Sequence, residues 1–230
     1  MIEGVQALIF DVDGTLSETE EAHRLSFNAA FAEAGLDWIW PRDLYRELLK
    51  VTGGKERITH FMQTRGLEPA PAFVAGLHAR KTEIYIERVA AGEVALRQGI
   101  EAVILEARRR EVPLAIATTT SRPNVDALIA GTLGEAAVAW FDPMVCGDMV
   151  AAKKPAPDVY LAVLAGLGVP VERCLALEDS GNGVRSARAA GLRVLAIPSL
   201  YSAADDFSEA TEVVADPAEI MRVLAWGESP

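Results

Sequence analysis

Val5-Gln6-Ala7-Leu8-Ile9-Phe10-Asp11-Val12-Asp13-Gly14-Thr15 is an apolar run that ends in two aspartates one residue apart. Short continuous apolar runs are the pattern of a strand buried on both faces. Gly14 follows, where a chain can turn sharply. In open α/β sheets, chemistry collects just past the carboxyl ends of the strands. Side chains at i and i+2 of an extended segment point the same way, so Asp11 and Asp13 can address one ligand. Two carboxylates in such a place are costly unless a positive charge joins them, and a hard cation such as Mg²⁺ is the usual answer. An ionised Asp can also attack phosphorus and form an aspartyl-phosphate. Its neighbour can protonate the leaving oxygen and then take a proton from water. Taken alone, Asp-x-Asp-Gly also reads as a plain turn at a strand end.

Beyond Thr15 the pattern becomes helical. Residues 18–34, 41–49, 55–65 and 73–91 each carry helical spacing, punctuated by Gly35, Gly53-Gly54, Gly66 and the Pro69–Pro71 linker. From Gly99 onward helices alternate with strands expected at 113–117, 144–146, 174–177, 193–197 and, weakly, 212–215, with a last helix at 217–226. Alternation of this kind implies a parallel sheet with helices on both faces, a Rossmann-like α/β core. The helical block then reads as an inserted cap domain, residues 16–92. The core domain comprises residues 1–15 and 93–230.

Composition narrows the function classes. Half of the 230 residues are hydrophobic and 24% are charged, as in a globular protein with a substantial core. The formal charge of −11 argues against a nucleic-acid partner, whose phosphates need a basic surface. It leaves room for a small phosphorylated ligand in a local cationic pocket. No apolar run approaches the ~20 residues of a membrane span. The first strand starts too close to Met1 to leave room for a signal peptide. Cys146 and Cys174 read as buried thiols of a reducing compartment, which places the chain in the cytoplasm. Nothing points to an obligate protein partner.

Three further groups fall at expected strand ends. Thr118-Thr119-Thr120-Ser121 offers hydroxyl and backbone donors to a phosphate, or simply continues a strand into a turn. In Lys153-Lys154-Pro155-Ala156-Pro157, a lysine on a proline-stiffened loop is a point charge suited to a phosphoryl group, or a solvated pair. Glu178-Asp179-Ser180-Gly181 is a second acidic pair, which helix capping explains less well than metal ligation does.

In this order the four groups resemble the signature of the haloacid dehalogenase superfamily of phosphotransferases, and the helical insert resembles the cap of its β-phosphoglucomutase-like branch. Thr52-Gly53-Gly54-Lys55-Glu56-Arg57, the hydroxyl run and Gly147-Asp148-Met149-Val150 resemble CbbY-type phosphatases. That group acts on xylulose-1,5-bisphosphate, a misfire product that inhibits Rubisco, in the Calvin–Benson cycle. The resemblance implies a Mg²⁺-dependent sugar-phosphate phosphatase with Asp11 as nucleophile, Asp13 as general acid/base, and Thr118 and Lys154 on the transferred phosphate. It implies metal ligation by Asp11, Asp13 through its carbonyl, Glu178 and Asp179. For a bisphosphate, a second anion site is expected at Gly53, Gly54, Lys55 and Arg57, where glycines and a helix start meet cationic side chains. Thr119, Thr120, Lys81 and Glu18 are further substrate-binding candidates. His23 reads equally as a hinge residue or a proton carrier, and residues 201–207 as a polar loop without a role. His60 and His78 carry no metal-ligand spacing. A phosphosugar mutase, a general sugar-phosphate phosphatase and a receiver-type phosphorelay module are the alternatives.

Overall fold

The structure, a computed structural model, describes residues 1–226. Strand β1 (Ala7–Phe10) lies mid-sheet with all four residues buried, as its unbroken apolar run requires. Helices α1 (Glu20–Glu33), α2 (Arg42–Leu48), α3 (Gly54–Thr64) and α4 (Pro71–Ala90) follow without an intervening strand. The chain then alternates through α5 (Ile100–Arg109), β2 (Leu114–Ala117), α6 (Arg122–Leu133), β3 (Phe141–Val145), α7 (Asp158–Leu167), β4 (Cys174–Glu178), α8 (Gly181–Ala189), β5 (Arg193–Ala196), β6 (Glu212–Val213) and α9 (Ile220–Val223). Among the described residues one sheet forms, in the order β3-β2-β1-β4-β5-β6, with every pairing parallel.

Side-chain alternation splits the core into two layers. Leu8, Phe10, Ile116, Leu177 and Leu195 face α5, α6 and α9, packing on Val103, Ile104, Leu128 and Ile220. Ala7, Ile9, Ala115, Ala117 and Ala176 face α7 and α8, packing on Val159, Tyr160, Val163 and Ala187. The register carries the site: Phe10 pairs with Ile116 on one side and Leu177 on the other. The residues that follow, Asp11, Thr118 and Glu178-Asp179, therefore emerge at one level. The chain runs from β1 outward to β2 and β3, then returns to β4 on the opposite flank, so this level is also the switch point of the sheet.

The inserted helices have an aromatic core of their own: Phe27, Phe31, Trp38, Trp40, Tyr45, Ile58, Phe61 and Leu77. Trp40 is fully buried, with ring centroids 4.7 Å from Phe27, 4.9 Å from Phe31 and 5.3 Å from Phe61. The long helix α4 roots the cap in the main core through Tyr85 and Val89. No helix among the described residues is long and apolar enough to cross a membrane.

Two sequence expectations need correction. The third strand runs 141–145, not 144–146; as an edge strand it tolerates Pro143. The helix expected at 217–226 is a 3-10 turn, Pro217–Glu219, followed by one turn of α9. Asp216 caps the turn by accepting the Ala218 N–H at 2.8 Å. The helix stops because Ala225 takes a left-handed conformation (φ 55°), which returns Trp226 N–H to the Met221 carbonyl.

Trp40→Ala is expected to cost about 3–5 kcal/mol of stability, since it empties the centre of the cap's aromatic cluster. Chemical denaturation of the purified variant checks this.

Candidate active site

The ammonium of Lys154 forms the centre of the site. Its Nζ donates to Asp11 Oδ1 and Glu178 Oε1, each at 2.6 Å, and to the Ala117 carbonyl at 2.8 Å. Those partners come from the ends of β1, β4 and β2, so one lysine on the loop after β3 ties three adjacent strands. Tyr160 on α7 donates its hydroxyl to the same Glu178 oxygen. Lys154 is 4% exposed, Glu178 0% and Asp11 6%, so these charges have little water to help them.

Charge does not balance in this nest. Carboxylate oxygens of Asp11, Glu178 and Asp179 lie within 4.8 Å of one another. Fully ionised, these three carboxylates would outweigh the single Lys154 charge by two. Glu178 Oε2 is buried and has no hydrogen-bond partner. Burial drives the proton affinity of Asp11 well above the carboxylate range; Lys154 opposes this, while Glu178, Asp179 and Asp13 add to it. Burial and then the Glu178 charge push Asp179 up to about 8. Burial would strip the proton from Lys154, but Asp11 and Glu178 more than reverse that and its pKa rises. A hard divalent cation bound by oxygen matches both the surplus charge and the orphaned oxygen. Gly14 (φ +84°) belongs to the same construction, because a Cβ there would lie 2.2 Å from Asp179 Oδ2.

Asp13 faces the cap. Its Oδ1 accepts the Thr19 hydroxyl at 2.5 Å and His23 Nε2 at 3.0 Å. Lys81 Nζ lies 2.7 Å from His23 Nδ1 and donates to it, and His23 stacks on Tyr85 at 4.0 Å. Burial would raise Asp13, but His23 above all, then the Thr19 hydroxyl and the Lys81 charge, hold it well below the usual range. Burial and Lys81 lower His23, which suits a neutral ring that donates from Nε2 and accepts at Nδ1. Burial brings Lys81 down to about 7.

A cavity of about 950 Å³ separates this floor from the cap. Asp11, Asp13, Lys154 and Asp179 line its lower wall. Gly53, Gly54, Lys55, Arg57 and Lys81 line the cap side, and Thr119 and Thr120 the side of α6. Thr118 is not part of the lining. It is buried beneath it, with its hydroxyl accepting the Thr120 N–H at 3.2 Å. Gly147 brings the next loop against Thr119, since a Cβ there would meet the Thr119 carbonyl oxygen at 2.1 Å. Arg57 is anchored by the Leu48 carbonyl (3.2 Å) and the Tyr45 hydroxyl (3.0 Å), whereas Lys55 is exposed.

Glu18 is a correction: it is exposed and outside the cavity, accepting the Leu200 N–H at 3.3 Å and lying 3.5 Å from Arg97. It precedes α1 and runs with the extended linker, while Glu20, one turn into the cap, lines the cavity instead. His78 was not expected there but is in the lining, packed against Gly54. Its only sequence signal is its position three residues before Lys81 on the same face of α4.

Residues 5–191 match the family model of haloacid dehalogenase-like hydrolases. The chain belongs to that family. Protein CbbY of Cereibacter sphaeroides is 50% identical over 216 residues, 94% of either chain. CbbY of Rhodobacter capsulatus is 54% identical over 206 residues, covering 90% of this chain and 91% of its own. The crystal structure of CbbY from Rhodobacter sphaeroides in complex with phosphate matches with a TM-score of 0.90 at 50% identity, over 94% of this chain and 96% of that one. The same CbbY as an aspartate-to-asparagine variant, in complex with xylulose-1,5-bisphosphate, matches equally well. As a haloacid dehalogenase-like hydrolase the chain is an enzyme, a phosphatase acting on phosphoric monoesters.

Lys154→Met is expected to destabilise the metal-free protein by about 3–5 kcal/mol, because it strands two buried carboxylates against each other; unfolding in EDTA measures this. A second expectation concerns acid. Burial, then the charges of Lys81, Lys55 and Lys153, lower His78 to about 3 from 6.5. The unfolded chain thus binds a proton between those values that the folded chain refuses, so this contribution is full above pH 6.5 and is lost as pH falls toward 3. His78→Asn should flatten the acid limb of stability between pH 6 and 4 by about 1 kcal/mol per pH unit. Urea melts across that range read the difference.

Proposed function

We propose that the enzyme is a Mg²⁺-dependent sugar-phosphate phosphatase that works through an aspartyl-phosphate on Asp11. The preferred substrate is xylulose-1,5-bisphosphate, hydrolysed to xylulose 5-phosphate, which removes a Rubisco inhibitor. One observation carries this: a single cavity has an acidic floor tied by Lys154, which a bound divalent cation would make attractive to a phosphate, and a cationic wall on the cap. Lys154 stands at the catalytic floor, and Lys55, Arg57, Lys81 and the open N-terminus of α3 stand at the cap. Two anions joined by a short polar chain fit that arrangement. The likeness to CbbY proteins, one of them in complex with xylulose-1,5-bisphosphate, supports the choice of substrate.

In this mechanism Asp11 attacks phosphorus in line with the ester oxygen; the Asp11 O–P bond forms as the ester P–O bond breaks. Asp13 gives a proton to the departing sugar oxygen. In the free protein Asp13 is held as the ionised base, and the negative charge of an arriving phosphate is what raises its proton affinity. Asp13 then takes a proton from water, whose oxygen attacks phosphorus and frees Asp11. Lys154 neutralises the equatorial oxygens of the phosphoryl group. Thr118 holds the Thr120 backbone, with Thr119 and Thr120 toward the ligand. Asp11, Glu178 and Asp179 with the Asp13 carbonyl would hold Mg²⁺, which when bound supplies further charge neutralisation at the phosphoryl group.

The cap, residues 16–92, would open and close over the core, residues 1–15 and 93–230. Its two chain crossings run side by side, Ser17 bridged to Leu96 and Arg97 N–H bonded to the Leu16 carbonyl at 2.8 Å. Closure excludes water and makes hydrolysis depend on what the cap holds. The unbridged, buried Cys146 and Cys174 suit a cytoplasmic enzyme.

The test is phosphate release from a panel of sugar mono- and bisphosphates, with Mg²⁺ and with EDTA. Strong Mg²⁺-dependent preference for xylulose-1,5-bisphosphate, with ribulose-1,5-bisphosphate spared and turnover abolished by Asp11→Asn, is the expected result. Formation of an isomeric monophosphate without free phosphate would establish a mutase instead. Broad weak activity on monophosphates would leave a general phosphatase.

A further inference from the structure

The loop after β5 has no part in the chemistry above, yet it touches both halves of the site. At its root, Arg97 donates to the Ile197 carbonyl (2.8 Å), the Pro198 carbonyl (3.0 Å) and the Gly14 carbonyl. Two neighbouring residues then point in opposite directions. Tyr201 joins the cap's aromatic cluster, its ring edge-on to Tyr45 at 5.8 Å and beneath the Arg46 guanidinium at 5.7 Å. Its hydroxyl donates to Glu21 Oε2 on α1 at 2.6 Å. Arg24 donates to that same carboxylate, so the acceptor is itself fixed.

Ser202 turns to the metal-binding cluster. Its Oγ lies 2.6 Å from the Asp179 carbonyl oxygen and 3.1 Å from Asp179 Oδ2, so one O–H reaches both as a bifurcated donor. It accepts the Ser199 N–H at 2.9 Å and is 2.8 Å from the Ser199 hydroxyl. Ser202 is buried, and Asp179 Oδ2 is pressed from the other side by Gly14. The Asp179 carboxylate is thus held by the Ser199 and Ser202 hydroxyls of a loop docked on the cap, with room for no side chain at Gly14 on its other flank.

We infer that Ser202 and Tyr201 are a linked pair of positioning residues: Ser202 aims the Asp179 carboxylate at the metal, and Tyr201 sets Ser202 according to how the cap is seated. The pair makes metal affinity depend on the cap without any cap residue touching the metal. Groups that hydrogen-bond a metal-ligating carboxylate commonly control affinity at this level. The inference rests on the reading of Asp179 as a Mg²⁺ ligand.

Calorimetric titration of the full-length protein with Mg²⁺ tests it, with Asp179→Asn as the reference. Ser202→Ala is expected to weaken Mg²⁺ about 10–100-fold. Tyr201→Phe keeps the ring and its packing, loses only the Glu21 bond, and should weaken Mg²⁺ several-fold. Because Tyr201 acts through Ser202, the double variant should bind no worse than Ser202→Ala alone. At saturating Mg²⁺ the Tyr201→Phe enzyme should regain wild-type kcat, which a merely damaged fold would not. Wild-type Mg²⁺ affinity in Ser202→Ala or in Tyr201→Phe, with binding lost in Asp179→Asn, would overturn the inference and leave the metal assignment standing; additive losses in the double variant would overturn the link. Unchanged binding in Asp179→Asn would instead overturn the metal assignment. Should Ser202→Ala fail to fold by circular dichroism, the Tyr201→Phe titration decides alone.

Discussion

A buried lysine shared by two buried carboxylates governs this protein. Lys154, Asp11 and Glu178 are all buried, so each is stable only while the others hold position. Such a cluster has to be met by rigid backbone on every side. The parallel sheet supplies that, because β1, β2 and β4 end level and are buried on both faces. The loop after β3 brings in the lysine through a stretch stiffened by Pro155 and Pro157. The apolar layers on either side of the sheet therefore serve the site directly: they fix the height at which four charged side chains leave it.

The same cluster holds more carboxylates than its lysine can balance. One ammonium cannot neutralise three carboxylates, so the protein keeps a place where a further positive charge is favourable. Asp13 is treated differently although it is only two residues from Asp11. It turns toward the cap, where Thr19, His23 and Lys81 stabilise its charged form. Two aspartates of one short motif thus meet opposite environments, one set among anions and one among donors. Their proton affinities are pushed apart accordingly, that of Asp11 up and that of Asp13 down.

Much of this was legible in the sequence, and for a definite reason. The groups at Asp11-Asp13, Thr118–Ser121, Lys154 and Glu178-Asp179 are short, and strand ends converge whatever lies between them. The sheet, its helical insert and the acidic cluster all follow from that local grammar. What was hidden depends on the phase of a helix or on contacts distant in sequence. Glu18 and Glu20 differ only in falling before or within the first turn of α1, and the turn decides which one sees the cavity. His23 finds Lys81, and His78 finds Gly54, only because α1, α3 and α4 close around a shared aromatic core. Residues 201–207 looked like an unremarkable polar loop because their partners, Glu21 and Asp179, lie in different halves of the molecule.

Adjacent residues repeatedly divide their labour across the boundary between cap and core. Lys154 serves the catalytic floor, while Lys153 reaches the cap carboxylate of Glu56. Ser202 holds Asp179, while Tyr201 holds Glu21. On the opposite wall Asn182, just past the acidic pair, lies 3.4 Å from the Thr52 hydroxyl that precedes the cap's glycines. These three crossing contacts are polar, unlike the apolar seating of Tyr85 and Val89 in the main core and of Tyr201 in the cap's cluster. The contacts that define each half are apolar and buried. Each of these polar contacts sits one to three residues from the acidic cluster, Lys154 or Ser202 in the chain. The position of the helical insert is thereby tied, through one to three residues of backbone, to the charged groups at the strand ends.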